Sequence, residues 1–171
     1  MIGVLVTLAP VGTAALPAFG ASVAIDLAVL GAVWFALRPG EPDVRSLAEL
    51  DATVHAGKPV LVELYSNLCL ICMANRQIIR IASGRLGAKC TIVRVEAPTG
   101  AGREIADTFR APHVPSYLLF DARGDLVRTV IPDTVTPLAN GYRVTDPRSA
   151  AFDRVQRVTP ELLVDLVRRA A

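Results

Sequence analysis

Charge is almost missing from one end of this chain: residues 1 to 37 carry a single ionisable side chain, Asp26, and no basic one. That weakens the reading of this stretch as a cleaved secretory signal, which needs a positive flank and a small-residue cleavage site. Cysteine is also scarce. There are three, Cys69, Cys72 and Cys90, too few for a small scaffold stapled by several disulfides. Histidine occurs twice, as His55 and His113, and no second close cysteine pair exists, so a tetrahedral zinc site would need ligands gathered from scattered positions. Aromatic residues make up 5% and the net charge is +2. Arg76, Arg80 and Arg85 therefore read as a solvated helix face, not as a nucleic-acid surface, which combines stronger basic charge with aromatic stacking.

What the first 37 residues do have is hydrocarbon. As a single helix they would extend about 55 Å, against a bilayer core of about 30 Å. The expectation is a transmembrane anchor over 1–38, either a helical hairpin or one tilted span with an irregular leader. Pro10, Gly12, Pro17 and Gly20 mark the breaks, giving apolar segments at about 2–16 and 18–37. Trp34 and Arg38 suit a membrane interface, and Asp26 within the second segment should face another helix, water or a partner. Pro39-Gly40-Glu41-Pro42-Asp43 punctuates the chain, so 39–45 reads as a linker and 46–171 as the folded domain. Arg38, Arg45 and Lys58 follow the span and nominally favour a cytoplasmic side for it, with no charge before the span to set against them.

The stretch around which the domain is organised is Leu64-Tyr65-Ser66-Asn67-Leu68-Cys69-Leu70-Ile71-Cys72-Met73. Before it, residues 58–65 form a short, Val- and Leu-rich run of the kind found in a strand buried on both faces. From Cys69 the apolar residues fall at helical spacing. A helix beginning at or just before Cys69 puts unpaired backbone N–H groups and the positive end of its dipole beside that sulfur, favouring the nucleophilic thiolate. Cys72, one turn later, can close a disulfide with Cys69 after a mixed disulfide forms. Half a zinc site and a pair of buried structural thiols remain the competing readings of the spacing.

The remaining elements follow in order. Ser46 and Glu49 have capping-box spacing ahead of a helix of about ten residues with Leu47, Leu50 and Val54 on one face, stopped at Gly57. The cysteine helix should run to about Leu86, with Ile78, Ile79 and Ile81 as core candidates. Residues 90–95 read as a strand, with Cys90 as a small core residue. Gly100 to Phe109 reads as a loop entering a short helix carrying Ile105 and Phe109. Residues 113–120 and 126–131, with Asp121 to Asp125 between them, have the pattern of an antiparallel hairpin. Thr159-Pro160-Glu161 opens the last helix, with Leu162, Leu163, Leu166 and Val167 as its apolar face.

That order and the motif placement resemble the thioredoxin superfamily over residues 46–171. Cys69-Leu70-Ile71-Cys72 lies at the strand-to-helix turn where the family keeps its redox pair. Glu63 stands six residues earlier, where the family keeps a buried acid, usually aspartate. Val114-Pro115-Ser116 looks like the family's cis-proline loop. The resemblance implies an α/β thioredoxin-like fold, a central mixed sheet flanked by helices, with an insertion at about 132–158 that adds a short strand or a cap. It implies thiol-disulfide exchange with Cys69 attacking, Cys72 resolving, Glu63 moving a proton, and Pro115 with Val114 receiving the substrate chain. Neither a cofactor nor a metal is implied. Leu68 replaces the tryptophan common before the first cysteine, and Leu70-Ile71 replaces the Gly-Pro of thioredoxin itself. The nearest subgroup is the tethered domains of extracytoplasmic reductases. The expected partners are protein dithiols or disulfides outside the cytoplasm, with a membrane redox partner for recycling, the membrane itself through 1–38, and no nucleic acid. A tethered module that holds a partner protein without turnover is the alternative. Dependence on the Cys69 thiolate separates the two.

Overall fold

The computed structural model describes residues 15–38, 40–134, 141–149 and 151–170, with the side chains of the first helix described from residue 23. The chain divides into two units at Leu37/Arg38. In the first unit, helix α1 spans Ala15–Leu37. Ile25, Leu27, Val29, Leu30, Val33 and Phe35 are all exposed, so its apolar side chains surround the axis instead of forming one stripe. Among the described residues no helix is long and apolar enough to cross a membrane. The expected first segment, 2–16, and the hairpin it would make lie outside the described residues but for its last two positions, which begin α1.

The second unit contains the helices α2 (Leu47–Val54), α3 (Leu70–Leu86), α4 (Gly100–Thr108) and α5 (Pro160–Ala170). Its strands are β1 (Val60–Tyr65), β2 (Thr91–Glu96), β3 (Ser116–Phe120), β4 (Leu126–Pro132), β5 (Tyr142–Thr145) and β6 (Phe152–Val155). One sheet takes them in the order β2-β1-β3-β4-β5-β6. Among the described strands only the β1–β2 pair is parallel, so the sheet is mixed.

Every residue of β1 is buried because helices cover both faces of the sheet there, which is why this strand reads as continuous hydrocarbon broken only by Glu63. Alternation along the strands sorts the core in two. Leu61, Tyr117 and Leu119 join Ile79 and Ala82 of α3 and Leu163 and Val167 of α5. Val60, Val62, Leu64, Leu118 and Phe120 join Leu50 and Val54 of α2 and Ile105 of α4. Ile79 is in the core as expected, whereas Ile78 packs against it only half-buried and Ile81 is also half-buried. Cys90 lies just ahead of β2, in the α3/α5 cluster.

Caps form largely where the sequence places them. Ser46 Oγ accepts from Glu49 N–H at 3.1 Å, and Glu49 returns a bond to the N–H of Arg45 at 2.7 Å. Thr159 Oγ1 accepts from Leu162 N–H at 3.2 Å, ahead of Pro160 at the first helical position.

Two regions differ from the sequence reading. Residues 40–45 are no free linker: Asp43 N–H donates to Arg94 O at 2.8 Å and Asp43 Oδ2 accepts from Arg94 N–H at 2.9 Å, so this segment covers the open edge of β2. The insertion is not a single strand or a cap. It supplies both β5 and β6, which extend the sheet antiparallel beyond β4.

Candidate active site

β1 ends at Tyr65 and α3 begins at Leu70, and a short anchored turn joins them. Ser66 is buried; its Oγ accepts from Leu68 N–H at 3.2 Å and its carbonyl from Cys69 N–H at 3.1 Å. Asn67 donates to Gly40 O at 3.0 Å and to Glu96 Oε1 at 2.9 Å, tying the turn to β2 and to the segment before α2. Cys69 is the N-cap of α3, in extended conformation, and its Sγ accepts the Cys72 N–H at 3.2 Å. A sulfur thus occupies the place usually taken by a serine or aspartate oxygen, where helix N–H groups favour negative charge.

The electrostatics divide the pair. The Cys69 thiol is drawn down to about 6, first by the hydrogen bond from the Cys72 side chain and further by the backbone N–H groups of Cys72 and Ile71, against the opposing effect of partial burial. Cys72 is fully buried, and its thiol is pushed up by the hydrogen bond it gives to Cys69 and by desolvation. Both stand as free thiols. Near neutral pH Cys69 is therefore mostly thiolate and Cys72 holds its proton. Leu68 and Leu70, on either side of Cys69, are 80% and 78% exposed, so the reactive sulfur sits in an accessible apolar setting.

Glu63 is 2% exposed and lies in the interior of the sheet, opposite Arg94 of β2 and Tyr117 of β3. Glu63 is therefore not a carboxylate at the edge of the sheet. Burial lifts its carboxyl to about 7; Arg94 opposes the rise, and Asp43 and Cys69 add to it. Its Oε1 is buried with no hydrogen-bond partner among the described residues.

The Val114–Pro115 bond is cis. Ser116 opposes Leu64, so residues 113–115 lie at the carboxyl end of β1, the end from which the cysteine turn departs. Pro115 is buried and Val114 is half-buried against the α2/α4 cluster. His113 is half-buried and its carbonyl accepts from Ser116 Oγ. The site residues expected from sequence thus gather at one end of the sheet. Among the described residues no group of three or more histidines, cysteines or carboxylates could hold a metal ion.

Sequence reasoning missed three buried polar groups beside this site: Asn75, Tyr117 and Tyr142. Asn75 carried one available signal, its position one helical turn beyond Cys72. Tyr142 carried none, because only tertiary structure brings β5 to α3. Asn75, Tyr142, Leu70, Ile71, Ile78 and Val158 are among the residues lining a groove of about 440 Å³ beside the cysteine turn.

Among solved structures, a singly substituted thioredoxin from Halobacterium salinarum NRC-1 superposes with a TM-score of 0.52 over 74% of this chain and 87% of that one, at 16% identity. The fold is thioredoxin-like. At that identity the likeness is one of fold. Mitochondrial thioredoxin 3 from Saccharomyces cerevisiae also matches, with a TM-score of 0.47 at 15% identity over 52% of this chain and 79% of that one. So does a thioredoxin from Plasmodium falciparum, with a TM-score of 0.47 at 19% identity over 56% and 90%. No protein-family model matches the sequence, and no curated protein does.

Proposed function

We propose that the chain is a membrane-held thiol-disulfide oxidoreductase acting on cysteine-bearing proteins outside the cytoplasm. The observation that carries the chemistry is the division of the pair: an accessible Cys69 sulfur capping α3 with its thiol near 6, and a buried Cys72 one turn behind that keeps its proton. In the reducing direction the Cys69 thiolate attacks one sulfur of a substrate disulfide, and the other leaves as a thiolate and takes up a proton. Cys72 then passes its proton to Glu63 and attacks Cys69, releasing the second substrate sulfur. Two electrons move from the dithiol to the substrate. A membrane dithiol donor restores the pair, and the oxidising direction runs the same steps in reverse. Pro115 and Val114, at the same sheet end, receive the substrate backbone.

The anchor rests on composition and on α1. A helix apolar all round needs lipid or protein about it, and residues 1–37 hold one charge. Disulfides form and persist outside the cytoplasm, which favours placing the domain there.

The test is thiol titration and redox equilibration of the full chain against glutathione, with Cys69→Ser and Cys72→Ser alongside. A thiol midpoint near 6 lost only in Cys69→Ser, with a reversible two-electron couple lost in both, is the expected result. An ordinary thiol midpoint and an inert pair would overturn the oxidoreductase and leave a binding module. Recovery of the full chain in the soluble fraction after membranes are pelleted would remove the anchor.

A further inference from the structure

The steps above leave Asn75, Tyr117 and Tyr142 unused, although all three are polar groups buried on the sheet face covered by α3 and α5. Buried polar groups persist only where they are paired. Asn75 Nδ2 donates to Tyr117 Oη at 3.0 Å, and Asn75 and Tyr142 line the same groove beside the cysteine turn. One amide thus bonds one phenol and faces a second that comes from a different part of the chain. With its oxygen accepting from Asn75, the Tyr117 O–H is left to donate. Burial raises both phenols, Tyr142 to about 12, so they keep their protons.

Tyr117 stands directly opposite Glu63, whose Oε1 is buried without a hydrogen-bond partner among the described residues. Asn75 lies one turn beyond Cys72 on the same helix. Tyr117 feels the charge of Glu63, and Tyr142 that of the Cys69 thiolate. The other charged groups acting on this compartment are Arg94 from β2 and Asp43 from the segment before α2. α5 turns Leu163, Leu166 and Val167 to the core and keeps its charged residues exposed. Tyr142 is also firmly set. It pairs with Pro132 and Val155, and Gly141 before it has φ +76°, with room so limited that a Cβ would lie 2.5 Å from Val155 O.

Resting on the exchange reading above, we propose that Asn75, Tyr117 and Tyr142 are positioning residues for the resolving step, and that the β5–β6 hairpin is thereby part of the active site. They hold the Cys72 sulfur and the Glu63 carboxyl in place while the Cys72 S–H proton passes to the Glu63 carboxylate. The freed electron pair on Cys72 forms the Cys69–Cys72 bond as the bond from Cys69 to the substrate sulfur breaks, and the substrate leaves as a thiolate.

The test uses the full chain and an aryl disulfide, dithiobis(nitrobenzoate), which releases one coloured thiolate when Cys69 attacks and a second when Cys72 resolves. Tyr142→Phe and Tyr117→Phe keep the rings and remove only the hydroxyls. The expected result is an unchanged first release with its pH midpoint intact, and a second release slowed about fivefold to tenfold with a displaced pH profile, the scale of one lost hydrogen bond. Asn75→Ala, which frees the Tyr117 phenol and opens the groove wall facing Tyr142, should slow the second release at least as much as either. Native rate and pH profile for the second release in all three variants overturns the proposal while leaving the exchange reading intact. A native chain that gives the first release and never the second overturns both.

Discussion

On the sheet face covered by α2 and α4, β1 contributes Val60, Val62 and Leu64 and β3 contributes Leu118 and Phe120, an almost wholly hydrocarbon surface. On the opposite face the same two strands contribute the pair Leu61 and Leu119, but the next pair along that face is Glu63 and Tyr117, beside Cys72 and Asn75 of α3. Because side chains alternate along a strand, neighbours such as Tyr117 and Leu118 enter different environments. One face supplies stability by burial, and the other gives up some stability by holding ionisable groups beside the cysteine pair.

The sharpest way to break that contrast is to alter these neighbours one at a time. Leu118→Ala opens a cavity at a fully buried site and should destabilise the fold by about 2–5 kcal/mol, read by denaturant unfolding, with the rates of both thiolate releases preserved in the folded fraction. Tyr117→Phe should do the reverse, changing stability little and the second release strongly. Equal effects of the two variants on the chemistry would erase the distinction between the faces.

Glu63→Gln tests the cost on the polar face. In the unfolded chain this carboxyl releases its proton near 4.5, and in the folded chain at about 7, chiefly because of burial. The folded state binds the extra proton between those values. The stability tied to Glu63 is therefore fully present below pH 4.5, falls as pH rises, and is lost once pH exceeds about 7. The full loss is about 3 kcal/mol by linkage. Glu63→Gln should flatten the stability profile over this window, making the variant more stable than the native chain at pH 8 while its resolving step slows. A native profile that is flat between pH 4.5 and 7 would place the carboxyl in water-like surroundings.

Much of this organisation was legible in the sequence, because its signals are local. Val-rich β1, the cysteine spacing, the capping residues Ser46 and Thr159, and Val114-Pro115 each declare themselves within a few residues, and Glu63 is conspicuous as a lone acid in an apolar run. What stayed hidden depends on distant pairing. Asp43 looks like linker punctuation until it meets Arg94. β6 has an exposed or half-buried side chain at every position, so it carries no alternating signal. In β5 Tyr142 and Val144 do alternate with Arg143, yet four residues are too few to show which sheet they join, or that Tyr142 reaches Asn75.

The smallest expected effect concerns how that hairpin is held. Asp133, just beyond β4, receives Arg143 at 2.7 Å on Oδ1 and faces Arg154 at 3.2 Å on Oδ2, the latter without hydrogen-bond geometry. The carboxylate is nearly buried, but both arginines are about half to two-thirds exposed, so solvent screens the attraction and the pairs together contribute about 1 kcal/mol. Both arginines also lie over Phe152, at 4.9 Å and 5.7 Å from its ring, which retains part of the contact when the charge is removed. Asp133→Asn should therefore leave global unfolding nearly unchanged and speed amide hydrogen exchange in β5 and β6 alone, more at low salt than at high. If the hairpin positions Tyr142, the same variant should slow the second thiolate release slightly and leave the first untouched. Faster exchange in the hairpin with no change in that release would show that Tyr142 is held by the sheet pairing alone.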